Sequence, residues 1–339
     1  MKTIFVTGGA GFIGSAFIHL ILQETTDVEI INFDALTYAG NPENLKGLDE
    51  TRHKFVKGDI CNKDAVLNAL PDACEAVFNF AAESHVDRSI SSASEFVLTN
   101  VLGTQILLDA ARAKKVKRFC HISTDEVMGS LPDESNLYFT EISPLKPNSP
   151  YAASKAAAEH FVLAARATFG LDTVITRCGN NYGPRQFPEK LIPLMIANAL
   201  DDEPLPVYGD GRNVRDWIFV EDHARAIWLA FERGSSGEVY NIGARNERYN
   251  IDVVKAILDA LGKPHSLIKF VADRLGHDRR YAIEADKAEI ELGWKPLTTW
   301  EEGLLKTIRW YQENQDWVGH IRNGVYRDYY QEMYGASLK

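Results

Sequence analysis

The chain has 339 residues, 45% of them apolar and 25% charged, the proportions of an ordinary globular protein long enough for one large or two moderate cores. A formal charge of −10 with no basic run excludes a general nucleic-acid or anionic-membrane partner. Cys61, Cys74, Cys120 and Cys178 lie far apart with no CxxC or Cys/His spacing, which excludes a disulfide framework and a zinc cluster and points to reduced thiols in a cytoplasmic protein.

The N-terminal apolar run is broken by glycines before any cleavage region, so it does not read as a signal peptide, and no apolar stretch has bilayer-spanning length. Ile4, Phe5 and Val6 form a strand that runs into TGGAGFIGS. Gly9, Gly11 and Gly14 match the GxGxxG dinucleotide fingerprint, and Gly8, Gly11 and Gly14 match a related spacing. The glycines allow the tight turn, the close approach of a pyrophosphate and the packing of helix on strand. Phosphates are expected on the unpaired N–H groups that open a helix over 12–23.

A second strand over 28–33 ends in Asp34, twenty residues beyond Gly14. A carboxylate there accepts hydrogen bonds from the adenosine ribose and repels a 2′-phosphate, which favours NAD over NADP. An Asp that merely closes a strand at a turn has the same local signature. Residues 35–42 then read as a loop covering the adenosine side. A strand over 54–58 ends at Asp59 and Ile60, and a helix over 63–70 leads to a strand over 76–80. The small residues after it, Ala81, Ala82 and Ser84, let a flat ring or a diphosphate lie close.

A long helix is expected over 94–114, then a strand over 118–123 that runs into Thr124, Asp125 and Glu126. Ser149 as N-cap and Pro150 in the first turn open a helix to about residue 169, followed by a strand over 173–177. Alternating strands and helices of this kind specify an α/β fold, a Rossmann-like doubly wound parallel sheet. Beyond Cys178 the pattern loosens. Residues 217–220 and a helix over 221–233 are expected to rejoin the first domain. Helices over 251–261, 286–292 and 299–314 form a smaller C-terminal lobe.

Tyr151 and Lys155 are four apart on one helix and share a face. A phenol with a pKa near 10 costs about 4 kcal/mol to use as a base at neutral pH, and a nearby lysine cation with a positive nicotinamide can offset much of that. The pair is a proton acceptor for an alcohol oxidised by NAD, although YxxxK alone also occurs on plain surface helices. Asp125 and Glu126 are adjacent carboxylates at a strand end, where different environments can separate them into an acid and a base. Alcohol oxidation needs neither, whereas elimination of water beside a new carbonyl needs both. Lys190, Arg215, Arg274, His277, Arg279 and Arg280 could converge on a diphosphate or could be surface charges. None of the histidines has metal-ligand spacing, and no metal is expected.

TGGAGFIGS, Asp34, FAAESHVDRS, STDEV, YxxxK, RCGNNYGPRQFPEKLIP, RNVRDWIFVEDHARA and GHDRRY run in order over nearly the whole chain. Together they resemble the extended short-chain dehydrogenase/reductase family, and the acid pair after Thr124 resembles its 4,6-dehydratases rather than its 4-epimerases. The resemblance implies a lyase acting on dTDP-glucose in deoxysugar biosynthesis, with NAD lined by Gly8, Gly11, Phe12, Ile13, Gly14, Asp34, Ala35, Leu36, Thr37, Asp59, Ile60, Ala81, Ala82, Ser84 and Thr99. Tyr151 and Lys155 would reach the nicotinamide ribose, and Thr124, Asp125, Glu126, Tyr151 and Lys155 would carry the chemistry.

It also implies that Ser84, Thr124, Asn180, Glu189, Lys190, Leu191, Pro206, Tyr208, Arg215, Asn250, Asp273 and His277 face the sugar nucleotide. Residues 1–177 with 217–243 would form the NAD-binding domain, and 178–216 with 244–339 the sugar-nucleotide lobe. A homodimer is expected through the helix carrying Tyr151 and the helix before it. Met128 replaces the usual Tyr of STDEVYG, and Leu275 the usual Pro of DRPGH. A 4-epimerase and a non-catalytic NAD-binding sensor or scaffold remain as alternatives.

Overall fold

The computed structural model describes residues 1–133, 136–273 and 275–322, so Arg274 lies outside the described residues. Strands β1 (Lys2–Thr7), β2 (Val28–Asp34), β3 (His53–Lys57), β4 (Ala76–Asn79), β5 (Arg118–Thr124) and β6 (Thr173–Cys178) alternate with helices through the first half. The second half carries β7 (Asn180–Tyr182), β8 (Leu205–Tyr208), β9 (Val214–Phe219), β10 (Val239–Ile242), β11 (Glu247–Tyr249) and β12 (Ile268–Val271). Seven strands form one parallel sheet in the order β10-β6-β5-β4-β1-β2-β3, the doubly wound α/β arrangement.

Side chains alternate across this sheet. Ile4 and Val6 of β1 pack with Phe17, Phe78 and Trp228 beneath helices Phe12–Glu24 and Val220–Arg233. Phe5 points the other way, into Phe33, Leu107, Phe119 and Val162 beneath helices Thr104–Ala113 and Pro150–Phe169. Burying each such side chain contributes about 1.5–3 kcal/mol, which holds helices on both faces and leaves the strand ends open. Strand order reverses between β1 and β4, the point at which ligands enter such sheets. There Thr7 lies beside Phe33 on one side and Asn79 on the other.

Three stretches depart from the sequence pattern. The helix expected over 94–114 is α-helical over Ala93–Phe96 and Thr104–Ala113 but π-helical over Val97–Gly103. Its wider turn presents Asn100 inward, where the amide accepts from Glu83 N at 2.9 Å and donates to Glu83 O at 3.0 Å and Ser154 Oγ at 2.8 Å. Residues 217–219 belong to β9, which pairs with β7 and β11 instead of joining the central sheet; the helix Val220–Arg233 and β10 do return to it. An apolar run carries no sign of which sheet receives it. Residues Ala288–Leu292 make a π-helical turn whose Ala288 and Leu292 pack on Tyr240 and Ile242 beside the central sheet, not within the lobe.

A second core gathers Met195, Val253, Ile257, Leu304, Tyr311 and Trp317 from helices Leu191–Leu200, Asn250–Leu261, Trp300–Glu313 and Gln315–Arg322. Helix Trp300–Glu313 opens with a reciprocal capping box between Thr299 and Glu302. No helix among the described residues is long and apolar enough to cross a membrane.

Candidate functional site

The cleft begins where β1 ends. Gly8 turns the chain at φ +69°, and a Cβ there would lie 2.6 Å from Ala81 N, so the turn can rest against the end of β4 only without a side chain. At Gly14 a Cβ would strike the main-chain oxygen of Gly8. Helix Phe12–Glu24 opens at Gly11 with no side-chain cap, which leaves first-turn N–H groups for an anion. Asp34 accepts from Ala10 N at 2.9 Å and Leu36 N at 2.8 Å, and burial pushes its carboxyl above the usual range. Each carboxylate oxygen keeps a lone pair for a ribose hydroxyl.

Gly11, Phe12, Ile13, Ala35, Thr37, Asp59, Ile60, Ala81, Ala82, Ser84 and Thr99 line the same cleft. Leu36, left-handed at φ 53°, sits at its rim against Gly40. A backbone cradle that admits no Cβ, an uncapped helix start and a carboxylate at the end of β2 fit a dinucleotide. Among the described residues no group of three or more His, Cys, Asp and Glu side chains could hold a metal ion.

At the other end of the cleft, β5 delivers Thr124, Asp125 and Glu126 beside Tyr151 and Lys155. Ser149 caps the helix by accepting from Ala152 N at 3.1 Å, which fixes the turn that carries Tyr151. Lys155 is buried and donates to Ile122 O at 2.6 Å. Burial lowers its pKa to about 8, with Glu159 and Cys178 working against that fall. Tyr151 is pushed well above its ordinary pKa by burial and by Glu126, Cys178 and Asp125, and its hydrogen bond with Thr124 only partly opposes this. Burial and its acidic neighbours thus work against ionising the phenol, and the positive charge of a bound nicotinamide would work for it.

Asp125 is 1% exposed, and its carboxyl is raised well above the ordinary range by burial, then by Glu126 and Asp216, against the pull of Arg215. Glu126 is half-buried on the adjacent position. Two neighbouring acids thus differ in environment, as an acid and a base require.

Asn180, Glu189 and Lys190 line the cleft on the wall opposite the glycine turn, and Lys190 Nζ donates to Ser84 O at 2.9 Å. Leu191 starts the next helix. Pro206 and Tyr208 lie on β8, beyond the cleft lining. Tyr208 donates to Asp87 Oδ2 at 3.4 Å and stands edge-on to His277, whose Nδ1 is 2.5 Å from Asp273 Oδ1. Arg215 donates to the main-chain oxygens of Val214 and Asp278 and lies 4.3 Å over the Tyr281 ring, and Asn250 opens the adjacent helix. Tyr208, Asp273 and His277 form one group, Arg215 lies close enough to act on the Asp125 carboxyl, Asn250 N bonds Asn213 O, and none of the five lines the cofactor cleft.

The chain matches the family model described as GDP-mannose 4,6 dehydratase over residues 5–307. It is 52% identical to a dTDP-glucose 4,6-dehydratase of Neisseria meningitidis, with 96% of this chain and 98% of the relative covered. The chain belongs to the dTDP-glucose 4,6-dehydratase family. Among solved structures, the family member DesIV of Streptomyces venezuelae, with NAD bound, superposes with a TM-score of 0.90 at 48% identity over 93% of this chain and 98% of that one. A UDP-glucose 4-epimerase of Thermotoga maritima has a TM-score of 0.84 at 28% identity, over 93% and 100%.

Against the dTDP-glucose 4,6-dehydratase pattern, Met128 is buried among Val127, Leu131, Phe139 and Ile283, with its sulfur 3.8 Å from Arg177 Nη1. It fills core beside the buried Arg177–Glu159 pair instead of facing the cleft. Leu275 is exposed on the loop between Asp273 and His277. Sequence reasoning assigned no role to Tyr38, His85, Arg88, Gln186 or Asp216, although all but Tyr38 lie within the motifs that carried the resemblance. Arg88 stacks 4.0 Å over the Tyr38 ring, and Gln186 lines the cleft. Motif membership was the available signal for these residues.

Proposed function

We propose that the chain is an NAD-dependent hydro-lyase that converts dTDP-glucose to dTDP-4-keto-6-deoxyglucose in deoxysugar biosynthesis. The observation that carries this reading is the acid pair beside Tyr151, with Asp125 sealed, its carboxyl pushed up by burial, and Glu126 half-buried at the cleft. NAD, when bound, supplies a redox centre that is reduced and reoxidised within one turnover. Gly8, Gly11 and Gly14 admit its diphosphate, Asp34 holds its adenosine ribose, and Phe12, Ile13, Ala35 to Thr37, Asp59, Ile60, Ala81, Ala82, Ser84 and Thr99 enclose it.

Tyr151 takes the proton of the C4 hydroxyl, and Thr124 hydrogen-bonds the same oxygen. Lys155, tied to Ile122 and lining the same cleft, would hold its charge on the side of the reacting hydroxyl. Once C4 is a carbonyl, C5–H is acidic and Glu126 removes it. Asp125 gives its proton to the C6 hydroxyl, which leaves as water, and the resulting C5–C6 double bond would then be saturated by return to C6 of the hydride taken from C4 and by return of a proton from Glu126 to C5. Each well-placed acid or base supplies about 10²–10⁴-fold. Ser84, Asn180, Glu189, Lys190, Leu191, Pro206, Tyr208, Arg215, Asn250, Asp273 and His277 position the sugar nucleotide, the last eight of these spanning the cleft wall and the second lobe.

The same proposal divides the chain into an NAD domain, 1–177 with 217–243, and a substrate lobe, 178–216 with 244–339, except that β9 pairs with β7 and β11 and the turn Ala288–Leu292 packs beside the central sheet. It makes the protein a cytoplasmic homodimer. Support for the dimer comes from Val97, Leu98 and Leu102 on one helix and Phe161 on the next, all exposed apolar side chains. The test is incubation with dTDP-, UDP-, CDP- and GDP-glucose. A product one water lighter, bearing a C4 carbonyl and formed from dTDP-glucose, supports the reading. A C4 epimer of unchanged mass identifies a 4-epimerase, and no turnover with any of the four identifies an NAD-binding sensor or scaffold.

A further inference from the structure

The segment after β2 borders the cofactor cleft and is fastened at both ends. At its base, Asn41 N and Asn44 Nδ2 donate to Ala10 O, inside the glycine turn, at 3.0 and 2.9 Å. Trp317 Nε1, from the second core, donates to Asn44 Oδ1 at 3.0 Å, so this base is held by both cores. At its crest, Tyr38 reaches across the cleft and donates to Glu189 Oε1 at 3.2 Å, a contact between residues 151 positions apart. The Tyr38 ring is clamped between Arg88, 4.0 Å over its face, and Phe187, edge-on with centroids 5.6 Å apart.

Glu189 is the fixed end of this contact. Its side chain is 1% exposed, and its second oxygen lies 3.6 Å from Arg88 Nε and 3.7 Å from His85 Nε2. The next residue, Lys190, ties the same wall to Ser84. Between base and crest run Ala35, Thr37, Ala39 and Gly40, which line the cleft beside Asp34. A dinucleotide held on Asp34 and the glycine turn therefore lies under a closed strap. Both the crest's hold on the opposite wall and the base's hold on Ala10 oppose its release.

We infer that Tyr38 and Glu189 form a latch that retains NAD between turnovers, Tyr38 acting as a positioning residue and not a catalytic one. The inference rests on the NAD-dependent reading above. It accounts for a need of that reaction, since a cofactor restored in every cycle gains nothing by exchanging with solution. Catalysis itself does not require the Tyr38 hydroxyl, which lies outside the cleft lining.

Two variants of the full-length protein test the latch, Tyr38→Phe and Trp317→Phe. The first removes one hydroxyl and keeps the ring between Arg88 and Phe187; the second cuts the tie to Asn44. Bound NAD is quantified after gel filtration, and exchange is timed with isotopically labelled NAD. Losing one such hydrogen bond, worth up to a factor of about ten, predicts roughly tenfold faster exchange in Tyr38→Phe. Its activity should become dependent on added NAD, with kcat at saturating NAD and the melting temperature close to the parent's.

Exchange at the parent's rate in Tyr38→Phe overturns the latch. Faster exchange in Trp317→Phe alone also overturns it, because it assigns retention to the base of the strap. If the parent neither carries nor takes up NAD, the NAD-dependent reading itself fails, an outcome separate from failure of the latch.

Discussion

Lys155 donates a hydrogen bond of 2.6 Å to the main-chain oxygen of Ile122, from a side chain that is only 5% exposed. The bond anchors the ammonium to β5, one turn of helix from Tyr151 and at the strand that delivers Thr124. Burial works against the charge, bringing its pKa to about 8, so an ordinary buried lysine would be a liability here. Its position fits the negative charge that the proposed reaction develops at Tyr151. Lys155→Met is predicted to lower kcat by about 10²–10⁴-fold while the far-ultraviolet circular dichroism is unchanged. Turnover within a factor of a few of the parent would remove Lys155 from the proton path.

In the proposed reaction Glu126 and Asp125 act at separate moments, and solvent isotope distinguishes them. In D2O the proposed reaction places one deuteron at C5 of the product. Glu126→Gln is predicted to retain NAD and to give neither product nor C5 exchange. Asp125→Asn is predicted to slow release of the C6 hydroxyl while leaving C4 oxidation intact, visible as reduced cofactor absorbance that accumulates in a single turnover. Normal product formation by Glu126→Gln would exclude it as the base.

Asp216 is buried behind Asp125, and burial raises its pKa to about 6, against hydrogen bonds from the backbone at Asn246, Arg245 and Ala244. An unfolded Asp titrates near 3.8. Between these values the folded protein keeps a proton that the unfolded chain has released, so this group lowers stability as pH rises from about 3.8 to about 6 and adds no slope above. Denaturant unfolding of the parent and of Asp216→Asn at pH 4, 5, 6 and 7 checks the sign. The parent's stability relative to the variant should fall between pH 4 and 6 and stay level from 6 to 7. A difference independent of pH would show that Asp216 ionises normally.

Gly14 faces the main-chain oxygen of Gly8 with no room for a methyl group. Gly14→Ala forces the turn apart and is predicted to cost about 0.5–3 kcal/mol of stability and most of the bound NAD. Thermal unfolding and cofactor extraction measure the two effects. Retention of a full complement of NAD would mean that the cradle tolerates a wider turn.

Features set by neighbours in the chain were legible before the fold was known. The glycine turn, Asp34, the Ser149 cap and the Tyr151–Lys155 spacing are all local, and a local pattern records its own geometry. Six of the seven strands of the central sheet follow from alternation for the same reason, whereas β10 carries no such signal. The Tyr38–Glu189 contact and the nearness of Asp216 to Asp125 join distant segments, and no spacing encodes them. The π-helical turn at Val97–Gly103 is also silent, because Asn100 turns inward to meet Glu83 and Ser154, partners supplied by tertiary packing. β9 went to a different sheet because an apolar run specifies burial but not the strand beside it.

The central claim is that oxidation at C4, elimination across C5 and C6, and reduction at C6 occur in one turnover on one NAD. dTDP-glucose carrying deuterium at C4 tests it directly, with the product read by NMR. The account predicts the deuterium at C6 of the 4-keto-6-deoxy product. Deuterium that stays at C4, or is lost to water, would contradict it.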